Sequence, residues 1–423
     1  MGLFAKISAL IGASEPPPAT ARASIAAPGV PPPQPALPGL LWHEIIDAST
    51  RLAGYRLQAA SSQALDGETW LALLRREGVE AVGKRRLLLI PMRPEQWLNA
   101  DFKTLGSQHP HFELGAGAGG QLASWPALLH AEGASVALPA DWLDSHPELG
   151  SLADVLLFDM HGEALPALEA RLRHCRQLAP QARLMIENVR SWAEYRYLRA
   201  MGADYCQGEF SHQPDEEAPA TECSPGRLLM IELLNLVRRD AELGELVEKA
   251  KREPAVVVKL IEMANTPLSG LARPVSSLDE AIMLLGREAL YRWLAFSLFQ
   301  IDPDNPRDEA LLVMALTRAN FLERIAPPEA RSDLFLVGLF SLLDSLLRQP
   351  LPQLLERIQL PPPVRAVLLD NSGAYARYLR LLLTLENGQY EAACAFAASL
   401  AIPRDDLLAN YGAAIAWANR SAH

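Results

Sequence analysis

The chain has 423 residues, of which 49% are apolar and 21% charged, enough for two globular domains and too apolar for a disordered protein. The net charge is −11 and neither half is basic, so binding to the phosphate backbone of nucleic acids is not expected. The four cysteines show no CxxC spacing, so neither a zinc knuckle nor a disulfide framework is indicated, and reduced thiols in a cytoplasmic protein are favoured.

Residues 1–38 are rich in proline and alanine, which predicts a disordered leader that joins no core. The most apolar stretch, 334–347, is too short to cross a bilayer and contains Asp344. We therefore expect a buried helix there and no membrane span.

Residues 39–215 alternate strand-like and helix-like patterns. Strands are predicted at 41–46, 86–92, 135–139, 154–160 and 183–189, and amphipathic helices at 68–76 and 165–178. This alternation predicts a parallel sheet with crossover helices, either open or closed into a barrel. The glycine-rich run at 115–120 lacks the spacing of a phosphate loop, so a flexible loop is favoured.

After a polar break at 211–226, the remaining residues, 225–423, predict an all-helical domain. A Ser cap opens a helix within 276–286, and prolines at 327–328 and 361–363 break the helical pattern. Between His212 and the terminal His423 this half has no histidine, which excludes a His-Asp metallohydrolase. Its apolar faces lead us to expect that it folds without the first half.

Residues 240–294 resemble the HDOD domain, a helical output domain that lacks the metal site of His-Asp hydrolases. The matching segments are KLIEMANTP, RPVSSLDEAI and LLGREALYRWL, in that order, and 333–347 resembles a later part of the same domain. We expect most of 225–423 to be HDOD-like.

The first half resembles a shortened EAL domain, a barrel whose active members linearise cyclic di-GMP with metal. The similar segments are 43–58, 153–160 and 186–214. The expected fold class is thus α/β plus all-α: a degenerate (β/α) TIM-like barrel at 39–215 followed by an HDOD domain. This order of modules is typical of bacterial signalling proteins.

The departures from the EAL pattern concern its chemistry. Arg56 stands where the family has a metal-ligating Glu, and Leu157 stands where it has the catalytic lysine. The paired aspartates are absent from 136–140, and the strand at 87–92 offers no Asn ligand. Two-metal hydrolysis needs several oxygen ligands, so we predict no catalytic residue, no metal and no cofactor.

Three residues of the family's site remain in the sequence: Glu187, Gln207 and, as a looser match, Glu113. For Glu187 and Gln207, structural hydrogen bonding at the barrel rim is an alternative to ligand binding. We expect the Arg56 guanidinium to replace the metal by pairing with Glu187, and secondarily with Glu113, because a guanidinium can bridge carboxylates. The alternative is an Arg56 that points into solvent.

Two residues of the helical half are candidates for a partner surface. Arg273 lies in a turn and Trp293 in the helix pattern that follows. The alternatives are a solvated loop for Arg273 and a core aromatic for Trp293.

The resemblance and the departures from it imply a non-enzymatic regulatory protein that acts through contacts with other signalling proteins, in cyclic-di-GMP-related control of motility or biofilm. A cyclic di-GMP receptor that binds without hydrolysis is the alternative, and an active phosphodiesterase is the least expected. The identity of the partner and the oligomeric state are not indicated.

Overall fold

The structure is a computed structural model that describes the following residues: 39–60, 65–93, 96, 102, 110–114, 124–131, 133–161, 165–215, 217, 225–253, 256–258, 261, 275, 277–299 and 306–421. The predicted leader at 1–38, the glycine-rich loop at 115–120 and Arg273 lie outside these residues.

Eight strands close into a barrel in chain order. They are β1 Leu40–Asp47, β2 Leu52–Ala59, β3 Leu87–Met92, β4 Pro110–Leu114, β5 Ser135–Pro139, β6 Val155–Asp159, β7 Arg183–Glu187 and β8 Tyr205–Cys206. Strand β1 is antiparallel to both of its neighbours, β2 and β8, whereas the other neighbouring strands are parallel. The closed form of the predicted sheet is confirmed, with one antiparallel strand that the alternation pattern did not predict.

Six helices lie in the described part of the barrel half. They are α1 Gly67–Arg76, α2 Val79–Gly83, α3 Ser124–Ala131, α4 Trp142–Ser145, α5 Leu165–Leu178 and α6 Trp192–Ala200. The start of α1 is set by Asp66, whose Oδ1 accepts a 2.8 Å hydrogen bond from the Thr69 amide. Both predicted amphipathic helices are confirmed, and α5 buries Leu168, Leu172 and Cys175 along one face.

The second half is helical, as predicted. Its described helices are α7 Pro225–Arg238, α8 Leu243–Ala250, α9 Leu278–Ser297, α10 Pro306–Ile325, α11 Arg331–Phe340, α12 Leu343–Leu347, α13 Leu351–Arg357, α14 Pro362–Asp370, α15 Ala376–Glu386, α16 Tyr390–Ser399 and α17 Arg404–Ser421. Ser277 caps α9 by accepting a hydrogen bond from the Glu280 amide. The apolar stretch 334–347 is buried, but it forms two helices rather than one.

No single helix among the described residues has both the length and the apolar character of a membrane span. One pair of helical segments, Pro328–Leu347 and Leu351–Arg357, reaches these limits only when taken together, and it is bent by 113°.

The helical half packs directly on the barrel. A tight turn joins β1 to β2. This antiparallel pair therefore lacks the crossover helix that covers a parallel strand pair. Helices α10 and α17 of the second half lie against it instead. The approach is close, because a Cβ at Gly39 would overlap the side chain of Leu408 on α17. One apolar core runs through both halves, which argues against the expectation that the helical half folds on its own.

The position of Trp293 overturns one of the two candidates for a partner surface. Its side chain is fully buried, and its neighbours Leu290 and Leu294 on α9 are buried with it. A side chain inside the core cannot contact a partner, so the partner-surface prediction for Trp293 is wrong and the core alternative is confirmed.

Candidate functional site

Three charged side chains meet inside the barrel near the carboxyl ends of its strands. Arg56 on β2 makes a two-point ion pair with Glu113 on β4: Nε lies 2.8 Å from Oε2, and one terminal nitrogen lies 2.7 Å from Oε1. The other terminal nitrogen lies 3.1 Å from Oε1 of Glu187 on β7. The predicted pairing of Arg56 with both carboxylates is confirmed, but Glu113, the looser sequence match, is the stronger partner.

These groups are largely shielded from water, since the exposed fractions of the side chains are 25% for Arg56, 14% for Glu113 and 13% for Glu187. Burial raises the pKa of Glu187 to about 7, although the Arg56 charge opposes the shift. For Arg56, the cost of burial is outweighed by the hydrogen bonds and charge of Glu113, which raise its pKa. The guanidinium is therefore permanently charged, whereas Glu187 titrates near neutral pH.

Asp159 belongs to the same site and was missed by the sequence analysis. It follows Leu157 by two positions on β6, and it lies beside Glu187 in the strand register. Its Oδ1 accepts hydrogen bonds of 2.6 Å from the Asn188 side chain and 2.8 Å from the His161 amide. These bonds lower its pKa even though burial opposes the shift. The period-2 alternation of β6 from Leu157 could have identified it.

Leu157 and Gln207 occupy the two remaining positions of the candidate site. Leu157 lies in the apolar cluster that fills the barrel interior, next to residues such as Leu89 and Met185. The backbone of Gln207 joins β8 to the end of β7, through a 2.8 Å hydrogen bond to the Ile186 carbonyl. Its side-chain Oε1 is buried and accepts no hydrogen bond from any donor in the described residues.

The residues present do not fit a divalent metal. The carboxylates of Glu113, Asp159 and Glu187 approach one another, but the Arg56 guanidinium lies among them and supplies the positive charge that a cation would supply. Within the described ranges, no group of three or more His, Cys, Asp or Glu side chains is placed to hold a metal ion.

A cavity of about 540 Å³ adjoins this site. Its walls come from the ends of the barrel strands and from α15 of the helical half. The lining residues are His43, Glu44, Met160, His161, Asn188, Val189, Arg190, Gln207, Gly208, Glu209, His212, Glu386 and Asn387. Both halves of the chain therefore contribute to one pocket beside the barrel mouth.

Comparison with known families identifies the second half. Residues 229–348 match the HDOD domain, which the sequence resemblance predicted. A closed eight-stranded barrel followed by an HDOD domain fits the EAL–HDOD tandem arrangement, so the expected fold class is confirmed. The match ends within the helical region, and the boundary at 423 for an HDOD-like unit stays a prediction.

Two curated proteins are similar to this chain. YuxH of Bacillus subtilis, an uncharacterized protein, is 24% identical over 213 residues, which are 49% of this chain and 52% of YuxH. The cyclic di-GMP phosphodiesterase CdgJ of Vibrio cholerae is 25% identical over 215 residues, 49% of each chain. The chain thus spans about half the length of the curated relatives it matches.

Among solved structures, the YkuI protein of Bacillus subtilis, which has an EAL domain and is in complex with cyclic di-GMP and calcium, is 18% identical. The superposition covers 58% of this chain and 71% of YkuI, with a TM-score of 0.34.

Proposed function

We propose that this protein is a non-hydrolysing regulator in cyclic-di-GMP signalling, and that it acts through contacts with other proteins. The relationship to CdgJ and the HDOD domain support the signalling context. The observation that carries the non-enzymatic part is the Arg56 guanidinium, which lies 2.7 Å and 3.1 Å from two carboxylates that would otherwise be free for a cation.

The physical argument concerns charge and the nucleophile. Hydrolysis of a phosphodiester by metals needs cations that hold the phosphate and lower the pKa of a bound water. A guanidinium has no open coordination position and cannot activate water in this way. Leu157, in the apolar barrel interior, offers no charge to the phosphate either.

The direct test is hydrolysis of cyclic di-GMP by the full chain with Mg²⁺ or Mn²⁺, followed by separation of the linear product. We expect no product above a buffer control. A matched variant with Arg56→Glu and Leu157→Lys restores the two side-chain types of the active family. Metal-dependent turnover by the unaltered protein, abolished in Glu187→Ala, would refute the proposal.

A second candidate function is a cyclic di-GMP receptor, which the 540 Å³ cavity beside the barrel mouth favours. The unsatisfied Gln207 Oε1 at this cavity could accept a hydrogen bond from a ligand donor. Calorimetric titration of the full chain with cyclic di-GMP distinguishes the two candidates. Binding that is weakened by Gln207→Leu would favour the receptor, and an absence of heat would favour action through protein contacts alone.

A further inference from the structure

Four buried charged side chains join the barrel to the helical half. His212, just after β8, lies with Nε2 3.3 Å from Oε2 of Glu44 on β1 and with Nδ1 3.2 Å from Oε2 of Glu386 on α15. Arg318 on α10 donates two hydrogen bonds to the same Glu386: its Nε lies 2.9 Å from Oε1, and a terminal nitrogen lies 2.7 Å from Oε2. The imidazole ring is therefore clamped between a carboxylate of the barrel and a carboxylate of the helical half.

The cluster is deeply buried, with side-chain exposures of 16% for His212, 11% for Glu44, 4% for Glu386 and 3% for Arg318. With an imidazolium, two positive charges face two negative ones. With a neutral imidazole, one negative charge in this shielded interior loses its partner, which is costly. Charge balance at the junction thus depends on one proton.

We propose that His212 is a proton-operated latch: in its protonated form it ties Glu44 of the barrel to Glu386 of the helical half, and loss of the proton loosens the helical half and opens the cavity between them. Glu44, His212 and Glu386 all line that cavity, together with Asn387. The state of the latch therefore determines how firmly the helical half closes the pocket beside the barrel mouth.

The contacts also indicate how the loosening proceeds. A terminal nitrogen of Arg318 lies 3.0 Å from His212 Nδ1. An imidazolium Nδ1 is a donor and faces Glu386, whereas a neutral ring can accept at Nδ1 from Arg318. Deprotonation therefore removes one bond to Glu386 and makes the ring compete with Glu386 for Arg318.

Other charged or titratable groups surround the cluster. Helix α17 contributes Tyr411, whose pKa burial raises well above its usual value, so that it stays neutral. Around the cavity lie His43, whose pKa burial lowers, as well as Arg190 and Glu209. The exposed Arg190 is 3.5 Å from Glu194. The charges that act most strongly on His212 are those of Glu386 and Glu44, the two carboxylates in contact with its ring.

Burial alone would lower the pKa of His212, but Glu386 and Glu44 outweigh this and raise it to about 9. A histidine in the opened state titrates near 6.5. The closed state therefore holds the proton more tightly. The resulting stabilisation of the closed state relative to the opened state is complete below pH 6.5 and is lost as the pH rises through about 9. Between these values the opening equilibrium should increase about tenfold per pH unit.

The test compares amide hydrogen exchange of the full chain with that of His212→Gln, segment by segment, at several pH values. Dividing the exchange rate of a segment in the variant by its rate in the unaltered protein at the same pH cancels the intrinsic pH dependence of exchange. We expect faster exchange in the variant at β1 and α17 at pH 7, and a ratio that falls towards one above pH 9. His130→Gln, an exposed histidine paired with Asp154 far from the junction, is the matched control and should leave the ratio at one.

A second measurement does not depend on a variant that folds. NMR titration of the imidazole in the unaltered protein should show His212 titrating near pH 9. Titration at or below pH 6.5, or an exchange ratio that does not change with pH, would overturn the proposal.

Discussion

The Tyr55 hydroxyl on β2 and the side-chain amide of Asn419 on α17 lie 2.8 Å apart, in a fully buried hydrogen bond between a barrel strand and the last helix. Burial raises the pKa of Tyr55, so the hydroxyl stays neutral. The same Asn419 amide donates to the Ile415 carbonyl, and its oxygen accepts from Arg86, which also contacts Glu309 on α10. The seam between the halves therefore contains buried polar contacts within an otherwise apolar core.

Replacement of this tyrosine tests the seam. Tyr55→Phe leaves one buried N–H of Asn419 without its acceptor, and we expect a loss of about 1–2 kcal/mol in the free energy of unfolding. Chemical denaturation measures this loss. Tyr197→Phe is the control, because that hydroxyl is exposed and 3.4 Å from Glu169. Equal effects of the two changes would contradict the assigned role.

Removal of the guanidinium at the barrel mouth should destabilise the fold. Arg56→Ala leaves Glu113 and Glu187 without their cation, and we expect a cost of about 3 kcal/mol, since the pair is mostly buried. In double-mutant cycles, the coupling of Arg56 to Glu113 should exceed its coupling to Glu187. The exposed pair of Arg173 and Glu169 is the control and should show about 0.5 kcal/mol or less.

The pH dependence of stability should reveal Glu187. Because its pKa is raised on folding to about 7, its favourable contribution is complete below the unfolded value near 4.5 and is lost as the pH rises through 7. Glu187→Gln should therefore be more stable than the unaltered protein by about 1–3 kcal/mol at pH 8 and nearly equal to it at pH 4.5. Denaturation curves at both pH values measure the difference, and Glu148→Gln, an exposed carboxylate, should show none.

A change at Glu386 should weaken both halves together. Glu386→Ala leaves the buried Arg318 and the mostly buried His212 without their shared carboxylate, and we expect a loss of about 3–5 kcal/mol. The exposed Glu391, on the next helix and paired with Arg404, provides the control Glu391→Ala, with a loss of about 0.5 kcal/mol or less. A loss of that small size at Glu386 would show that the cluster does not hold the junction.

Periodicity in the sequence was sufficient for strands that are apolar on both faces and for helices with a single apolar face. The predictions at 135–139 and 165–178 match β5 and α5 residue for residue, because a buried apolar strand and a single apolar helix face leave clear patterns. Periodicity missed β2, whose buried and half-buried positions do not alternate regularly, β8, which has two residues, and β4, which is short and carries His111 and Glu113. Such segments become strands through pairing with neighbours rather than through their own composition.

The site was predictable in part. The substitution at Arg56 and the surviving Glu187 suggested an ion pair, but the preference for Glu113 depends on the stagger of the strands around the barrel. The cluster at His212 was not predicted, because Glu44, His212, Arg318 and Glu386 are far apart in the chain. Only the packing of the helical half on the β1–β2 hairpin brings them together.

That packing decides what truncated forms of the chain will report. A chain cut after the barrel would expose the outer faces of β1 and β2, including Trp42, Leu57 and Tyr55, all now buried. Uncovered apolar strands associate with one another, so such a fragment would aggregate. A deletion phenotype for either module would then reflect the loss of the whole protein, and point changes that keep the seam intact are the means of separating the contributions of the two modules.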